Sequence, residues 1–127
     1  MILDTCALLW LADKSATSKI SLTTLELINN SPLVYVSAIS GFEIGVKVGV
    51  GKLILPVSPA KWFDTVLSFH HLELIDLDLD ICLRATELPK IHKDRCDRFI
   101  IASALKLGIP VVTSDARFKD YGVEVLW

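Results

Sequence analysis

The chain has only three cysteines in 127 residues, Cys6, Cys82 and Cys96, an odd number without the close pairing that a zinc site or a disulfide framework needs. A structural zinc module and a disulfide scaffold are thereby excluded, and the thiols read as core filling in a reducing compartment. Basic residues are not in excess either: 13 Lys and Arg stand against 15 Asp and Glu, a net charge of −2. No global positive field gathers phosphates, so any attraction for nucleic acid must be local. Long uncharged apolar runs are also missing. The best candidate for a membrane span is interrupted by Glu43 and Lys47, short of the roughly 18 apolar residues a span needs. The start, Met1-Ile2-Leu3-Asp4, offers no basic leader or cleavage site, so the expectation is a cytoplasmic protein with no membrane association. What is plentiful is apolar surface. A hydrophobic share of 52% exceeds what one small core consumes and predicts a homodimer or a tight protein partner. The length fits one domain over residues 1–127, without repeats or linkers.

Ile2-Leu3 predicts a short strand closed by Asp4-Thr5, and residues 6–12 a compact apolar helix. Ser21 is placed to cap a helix running to Asn29-Asn30, with Leu22, Leu25 and Ile28 on one face and Ser31-Pro32 breaking it. Residues 33–36 read as a buried strand. Ser40-Gly41-Phe42-Glu43 has the spacing of a capping box, which gives Glu43 a structural task, with Lys47 four residues on as its ion-pair partner. Pro59 opens a helix carrying Trp62, Phe63, Val66 and Leu67, and His70-His71 at its end reads as a solvated feature. Residues 73–77 alternate as a half-buried strand, and a helix spans residues 80–88. The stretch 92–107 reads as a buried central helix with Asp94 and Asp97 at its mouth and Gly108 closing it. A strand at 109–113 ends in Ser114-Asp115, a helical turn follows at 116–121, and 123–127 is the last strand. Strands alternating with helices over the whole length predict an α/β fold with a central, mainly parallel sheet flanked by helices.

In such a sheet, ligands bind beyond the carboxyl ends of the strands, where helix N-termini also open. Asp4, Glu43 and Asp115 each follow a predicted strand and Asp97 opens the central helix, so all four project from one edge. Helix capping explains each acid singly but does not require that they share that edge. Carboxylates about 5 Å apart repel by about 3 kcal/mol at an effective dielectric near 20, and a divalent cation offsets that repulsion. An all-oxygen donor set suits Mg²⁺, or Mn²⁺ in its place, with no obvious Cys or His partner, and points to phosphoryl chemistry. Thr5, Thr113 and Ser114 stand next to the acids and are candidates to orient waters, with local backbone bonding as the alternative. Lys47, Arg95 and Arg98 are candidates to hold RNA phosphates, although Lys47 pairing with Glu43 and solvated arginines explain the same residues.

The segments LDT (Leu3 to Thr5), VSAISGFEIGVKVGVGKLILP (Val36 to Pro56), HKDRCDRFIIASA (His92 to Ala104) and VVTSDARFKDYGVEVLW (Val111 to Trp127) resemble the PIN-domain family, in particular its VapC-type ribonuclease toxins. The resemblance spans nearly the whole chain and keeps the order and spacing of the acids. It implies a PIN-like three-layer sandwich and a Mg²⁺-dependent endoribonuclease of a type II toxin–antitoxin pair. It further implies a dimer, silenced by a small antitoxin whose C-terminal segment lies across the acidic groove. Carried over position by position, the acids are Asp4, Glu43, Asp97 and Asp115, with Asp94 in the accessory place. This chain departs from the family's frequent pattern in having Arg95-Cys96 for Pro-Phe, which adds a positive charge, and Phe42 for Trp; neither change removes a ligand. Two other readings compete. A phosphoacceptor receiver module would need an acceptor Asp after a mid-chain strand, where Ser37 stands, and a Lys after Thr113, where none follows. A catalytically idle RNA-binding or scaffold domain would be marked by loss of an acid, and all four are present.

Overall fold

The computed structural model describes residues 1–127. Strand β1 (Ile2–Leu3) leads into helix α1 (Thr5–Ala12), and after a 3₁₀ turn at Thr17–Lys19 comes α2 (Leu22–Asn30). Next are β2 (Val34–Ser37), α3 (Ala38–Gly49), α4 (Pro59–Phe69), β3 (Leu72–Ile75), α5 (Leu79–Glu87) and α6 (Arg95–Leu107). The chain finishes with β4 (Val111–Val112), a 3₁₀ segment at Ala116–Tyr121 and β5 (Val125–Leu126). The five strands form one sheet in the order β3-β2-β1-β4-β5, and every pairing is parallel. The expected mainly parallel α/β sandwich is thus the architecture found. No helix is long and apolar enough to cross a membrane.

Alternation along the strands builds the layers. Leu3, Val34, Val36, Leu72 and Val112 face one way and pack with Leu8 and Leu11 of α1, Ile28 of α2, Ile44 of α3, and Trp62 and Val66 of α4. Ile2 and Val111 face the other way, against Ile100, Ile101 and Ala104 of α6 and against Phe118 and Tyr121 of the 3₁₀ segment. A sheet covered on both faces explains why its strands are apolar runs and why α6, with Ile100 to Ala104 buried, has so little polar face.

Two local expectations are corrected. Helix α3 begins three residues earlier than a capping box at Ser40 requires: Ser37 is its N-cap and accepts from the Ile39 N–H. Ser40 is fully buried and shares a hydrogen bond with the Thr5 hydroxyl at 2.9 Å, so Glu43 lies in the second turn with no capping duty. In α2, Thr24 and Ile28 are the buried residues and Leu22 is 80% exposed, so the inward face runs through Thr24 and not through Leu22.

Candidate functional site

The connections that follow β1 and β4 each supply an acid. Asp4 ends β1 as the N-cap of α1, its Oδ1 accepting the Ala7 N–H at 2.6 Å while its backbone N–H continues the sheet to Val112. Asp115 follows β4 and caps the 3₁₀ segment, Oδ1 accepting the Arg117 N–H at 3.0 Å. Asp94 caps α6, accepting from the N–H groups of Cys96 and Asp97. Capping is therefore real at three positions. It does not account for Glu43 or Asp97, which cap nothing.

The charges of these groups act on one another. Burial pushes the Asp4 carboxyl above its ordinary range, against hydrogen bonds from Thr113 and Ala7 that lower it, and the charges of Glu43 and Asp115 raise it further. Asp97 is pushed up to about 7 by burial first, then by the charges of Asp94, Asp4, Glu43 and Asp115. Arg117 holds the Asp115 carboxyl below the usual range, its guanidinium gripping both oxygens through Nε at 2.9 Å to Oδ1 and Nη2 at 2.7 Å to Oδ2. Glu43 Oε1 meets Lys47 Nζ at 3.1 Å, while its Oε2 is buried and has no hydrogen-bond partner. A buried carboxylate oxygen left unpaired is costly unless a cation or donor meets it. The unpartnered Glu43 oxygen and the raised Asp97 fit a cation bound near these acids.

The remaining sequence-selected residues separate. Thr113 is fully buried, accepts the Asp115 N–H at 3.0 Å and supports Asp4. Ser114 is exposed beside Asp115. Thr5 has its hydroxyl engaged with Ser40, tying α1 to α3. Arg95 is exposed and, with Lys90 and Lys93, lines a cavity of about 680 Å³ beside α6. Arg98 is corrected to a structural role: its guanidinium donates to the carbonyls of Ala85, Pro89 and Leu88 at 3.0, 2.9 and 2.6 Å, closing the end of α5.

The sequence offers no obvious histidine partner for the acids, yet the structure brings His92 beside two of them. His92 is 5% exposed, and its Nε2 lies 2.9 Å from Asp115 Oδ2 and 3.0 Å from Asp97 Oδ2. Nε2 and the two carboxylates form a group whose ligand atoms all lie within 4.8 Å of one another. The available signal was its place, two residues before the capping Asp94. Arg117, two residues after Asp115, was missed as well.

A parallel α/β sandwich with interacting acids at the carboxyl ends of β1 and β4 defines the kind of protein this is. The family model for the PIN domain matches residues 1–124, and the chain belongs to the PIN-domain family. Similar solved structures include VapBC2 from Rickettsia felis bound to a DNA fragment from its promoter, with TM-score 0.71, 22% identity, and coverage of 98% of this chain and 95% of that one. A toxin–antitoxin complex from Klebsiella pneumoniae matches with TM-score 0.64 and 18% identity over 99% of this chain and 95% of that one. FitAcB from Neisseria gonorrhoeae matches with TM-score 0.63 and 17% identity over 99% and 96%. No curated protein matches the chain in sequence.

Proposed function

We propose that the chain is a Mg²⁺-dependent endoribonuclease that hydrolyses RNA phosphodiesters in the cytoplasm, as one domain over residues 1–127 and as the toxin of a toxin–antitoxin pair. The observation that carries this reading is the buried, unpartnered Glu43 Oε2 near Asp97, whose carboxyl is pushed up to about 7 by burial and then by the charges of Asp94, Asp4, Glu43 and Asp115. Membership of the PIN-domain family adds to it, since PIN domains are generally nucleases and typically use divalent metals. Structural neighbours that are toxin–antitoxin complexes support the antitoxin partner.

Asp4, Glu43, Asp97 and Asp115 would hold the cation, Mg²⁺ or Mn²⁺ in its place. When bound, such an ion supplies charge neutralisation and acidifies a water for attack on phosphorus. The protein's own groups do the rest. Thr113 fixes Asp4, and Asp94 adds the negative charge that keeps the pocket selective for a cation. Ser114 is free to orient a water or a substrate oxygen. Lys47 and Arg95 meet RNA phosphates at the rim, and Arg98, committed to α5, is left out of that set. Large exposed apolar side chains support a homodimer and a small antitoxin with an apolar segment and a cation that reaches the acids.

The test is to incubate the purified, antitoxin-free protein with total cellular RNA, with Mg²⁺ or with EDTA, and to map the new ends. Discrete cuts that need the metal and vanish in Asp4→Asn and Glu43→Gln are expected. No cleavage with any divalent ion overturns the enzyme in favour of an idle RNA-binding domain.

A further inference from the structure

His92 stands at the centre of a chain of hydrogen bonds that fixes which of its ring nitrogens carries the proton. A backbone N–H can only donate, and that of Asp94 points at His92 Nδ1 at 3.0 Å, so Nδ1 is the bare acceptor. A neutral ring then bears its proton on Nε2. That proton is directed at Asp115 Oδ2, 2.9 Å away, with Asp97 Oδ2 at 3.0 Å from the same nitrogen. The ring has little freedom to choose otherwise. Its side chain is 2% exposed and packs edge-on against Phe118, with centroids 5.8 Å apart. The backbone N–H of His92 donates to the Tyr121 hydroxyl at 2.6 Å, pinning residue 92 to the 3₁₀ segment that Asp115 caps.

We infer that His92 is a positioning residue and not a metal ligand: locked as the Nε2–H tautomer, it donates into the gap between Asp97 and Asp115 and sets the orientation of these two carboxylates. The inference rests on the metal-site reading above and assigns a task that the acids cannot perform for one another. Asp97 comes from α6 and Asp115 from the loop after β4, so their relative placement has no backbone hydrogen bond to define it. One shared donor supplies that definition. It also leaves Asp97 its other oxygen, while both Asp115 oxygens are met by Arg117; a nitrogen that keeps its proton has no lone pair to offer a cation, which preserves the oxygen-only donor set that favours Mg²⁺.

The experiment uses the full chain in three forms, parent, His92→Gln and His92→Ala, at one fixed pH. Gln keeps an N–H donor near the Nε2 position and Ala removes it. In metal-free parent protein, ¹⁵N NMR of the imidazole is expected to report a neutral ring protonated on Nε2, unchanged when Mg²⁺ is added. Mg²⁺ affinity, read as the rise in melting temperature across a Mg²⁺ titration, is expected to fall by about 10–100-fold in His92→Ala and to return most of the way in His92→Gln. A ring protonated on Nδ1, or loss of the Nε2 proton on adding Mg²⁺, overturns the inference. So does a Mg²⁺ response that is the same in all three proteins. If His92→Ala does not fold, the NMR result and a His92→Gln affinity within a few-fold of the parent carry the decision. A parent that does not respond to Mg²⁺ at all overturns the metal site itself and this inference with it, which separates the two failures.

Discussion

A carboxyl that titrates near 7 in the folded chain and near the ordinary carboxylate value once unfolded makes folding depend on pH. The folded state holds the Asp97 proton more tightly, so this group's contribution to stability is fully present below about pH 4 and is lost as pH rises through 7. Asp4, also shifted upward by burial, adds in the same direction. Asp115 runs the other way: held low by Arg117, it contributes above the ordinary carboxylate value and loses that contribution only on acidification. Between pH 5 and 7.5 in EDTA the urea midpoint of the parent is therefore expected to fall. Asp97→Asn should flatten that dependence, be the more stable protein at pH 7.5 without metal, and bind Mg²⁺ on the order of tenfold or more weakly. A parent midpoint that does not change over this range removes the electrostatic argument. The acids were visible in the sequence because each follows a strand or opens a helix. His92 and Arg117 were not, because a single histidine or arginine carries no periodicity and its partners are set only when distant segments meet.

At the scale of elements, the polypeptide's own punctuation was legible where one residue decides it. Ser21 as an N-cap, Pro59 in the first turn of α4 and Gly108 with φ of 63° at the end of α6 all follow from local chemistry. Ser40 misled because two serines compete for the start of α3. The sheet decides between them, since β2 pairs with β3 as far as Ser37 and the helix must begin there. The end of α5 was legible to within a residue, but what closes it was not. It has no glycine cap, and the carbonyls of Ala85, Leu88 and Pro89 are met instead by Arg98 from α6. Charge-assisted bonds to carbonyls at a helix end are each worth about 1.5–3 kcal/mol, and they share one side chain, so Arg98→Ala is expected to lower stability by about 2–4 kcal/mol. Arg98→Lys should recover only a fraction, because an ammonium lacks the planar fork that reaches three carbonyls. Denaturant unfolding measures both. Since Arg98 touches no acid of the site, the Mg²⁺-induced rise in melting temperature should survive in each, and its loss would place Arg98 in the site after all.

For the whole molecule, alternation of strands and helices was enough to expect a mainly parallel sheet, but the strand order β3-β2-β1-β4-β5 was not readable, because apolar runs do not state their neighbours. The consequence of that order is a surface on which acids and apolar groups adjoin. Helix α3 carries Glu43 and Lys47 and also exposes Phe42 and Val46 at 64% and 48%, four apart on one side, with Val50 just past its end 63% exposed. Beyond α1 lies a cleft of about 470 Å³ lined by Leu9, Trp10, Leu53, Leu55 and Trp62, with Ile54 at its rim 91% exposed. Apolar surface beside an anionic pocket fits the proposed partner, an apolar segment with a cation at its end. Burying a phenylalanine contributes about 1.5–3 kcal/mol, a factor of at least about ten in affinity. Replacing Phe42 and Val46 together by serine is thus expected to weaken the partner at least tenfold and to relieve its silencing, while the free protein cleaves RNA as the parent does. The measurement is co-purification from the native host followed by titration of the recovered small protein into parent and Phe42→Ser/Val46→Ser. Leu22→Ser, which removes an equally exposed apolar side chain from α2, should leave the affinity unchanged. Equal affinity of parent and double variant would move the partner off α3, and failure to recover any small protein would remove the toxin reading while leaving the nuclease to be judged on its cleavage of RNA.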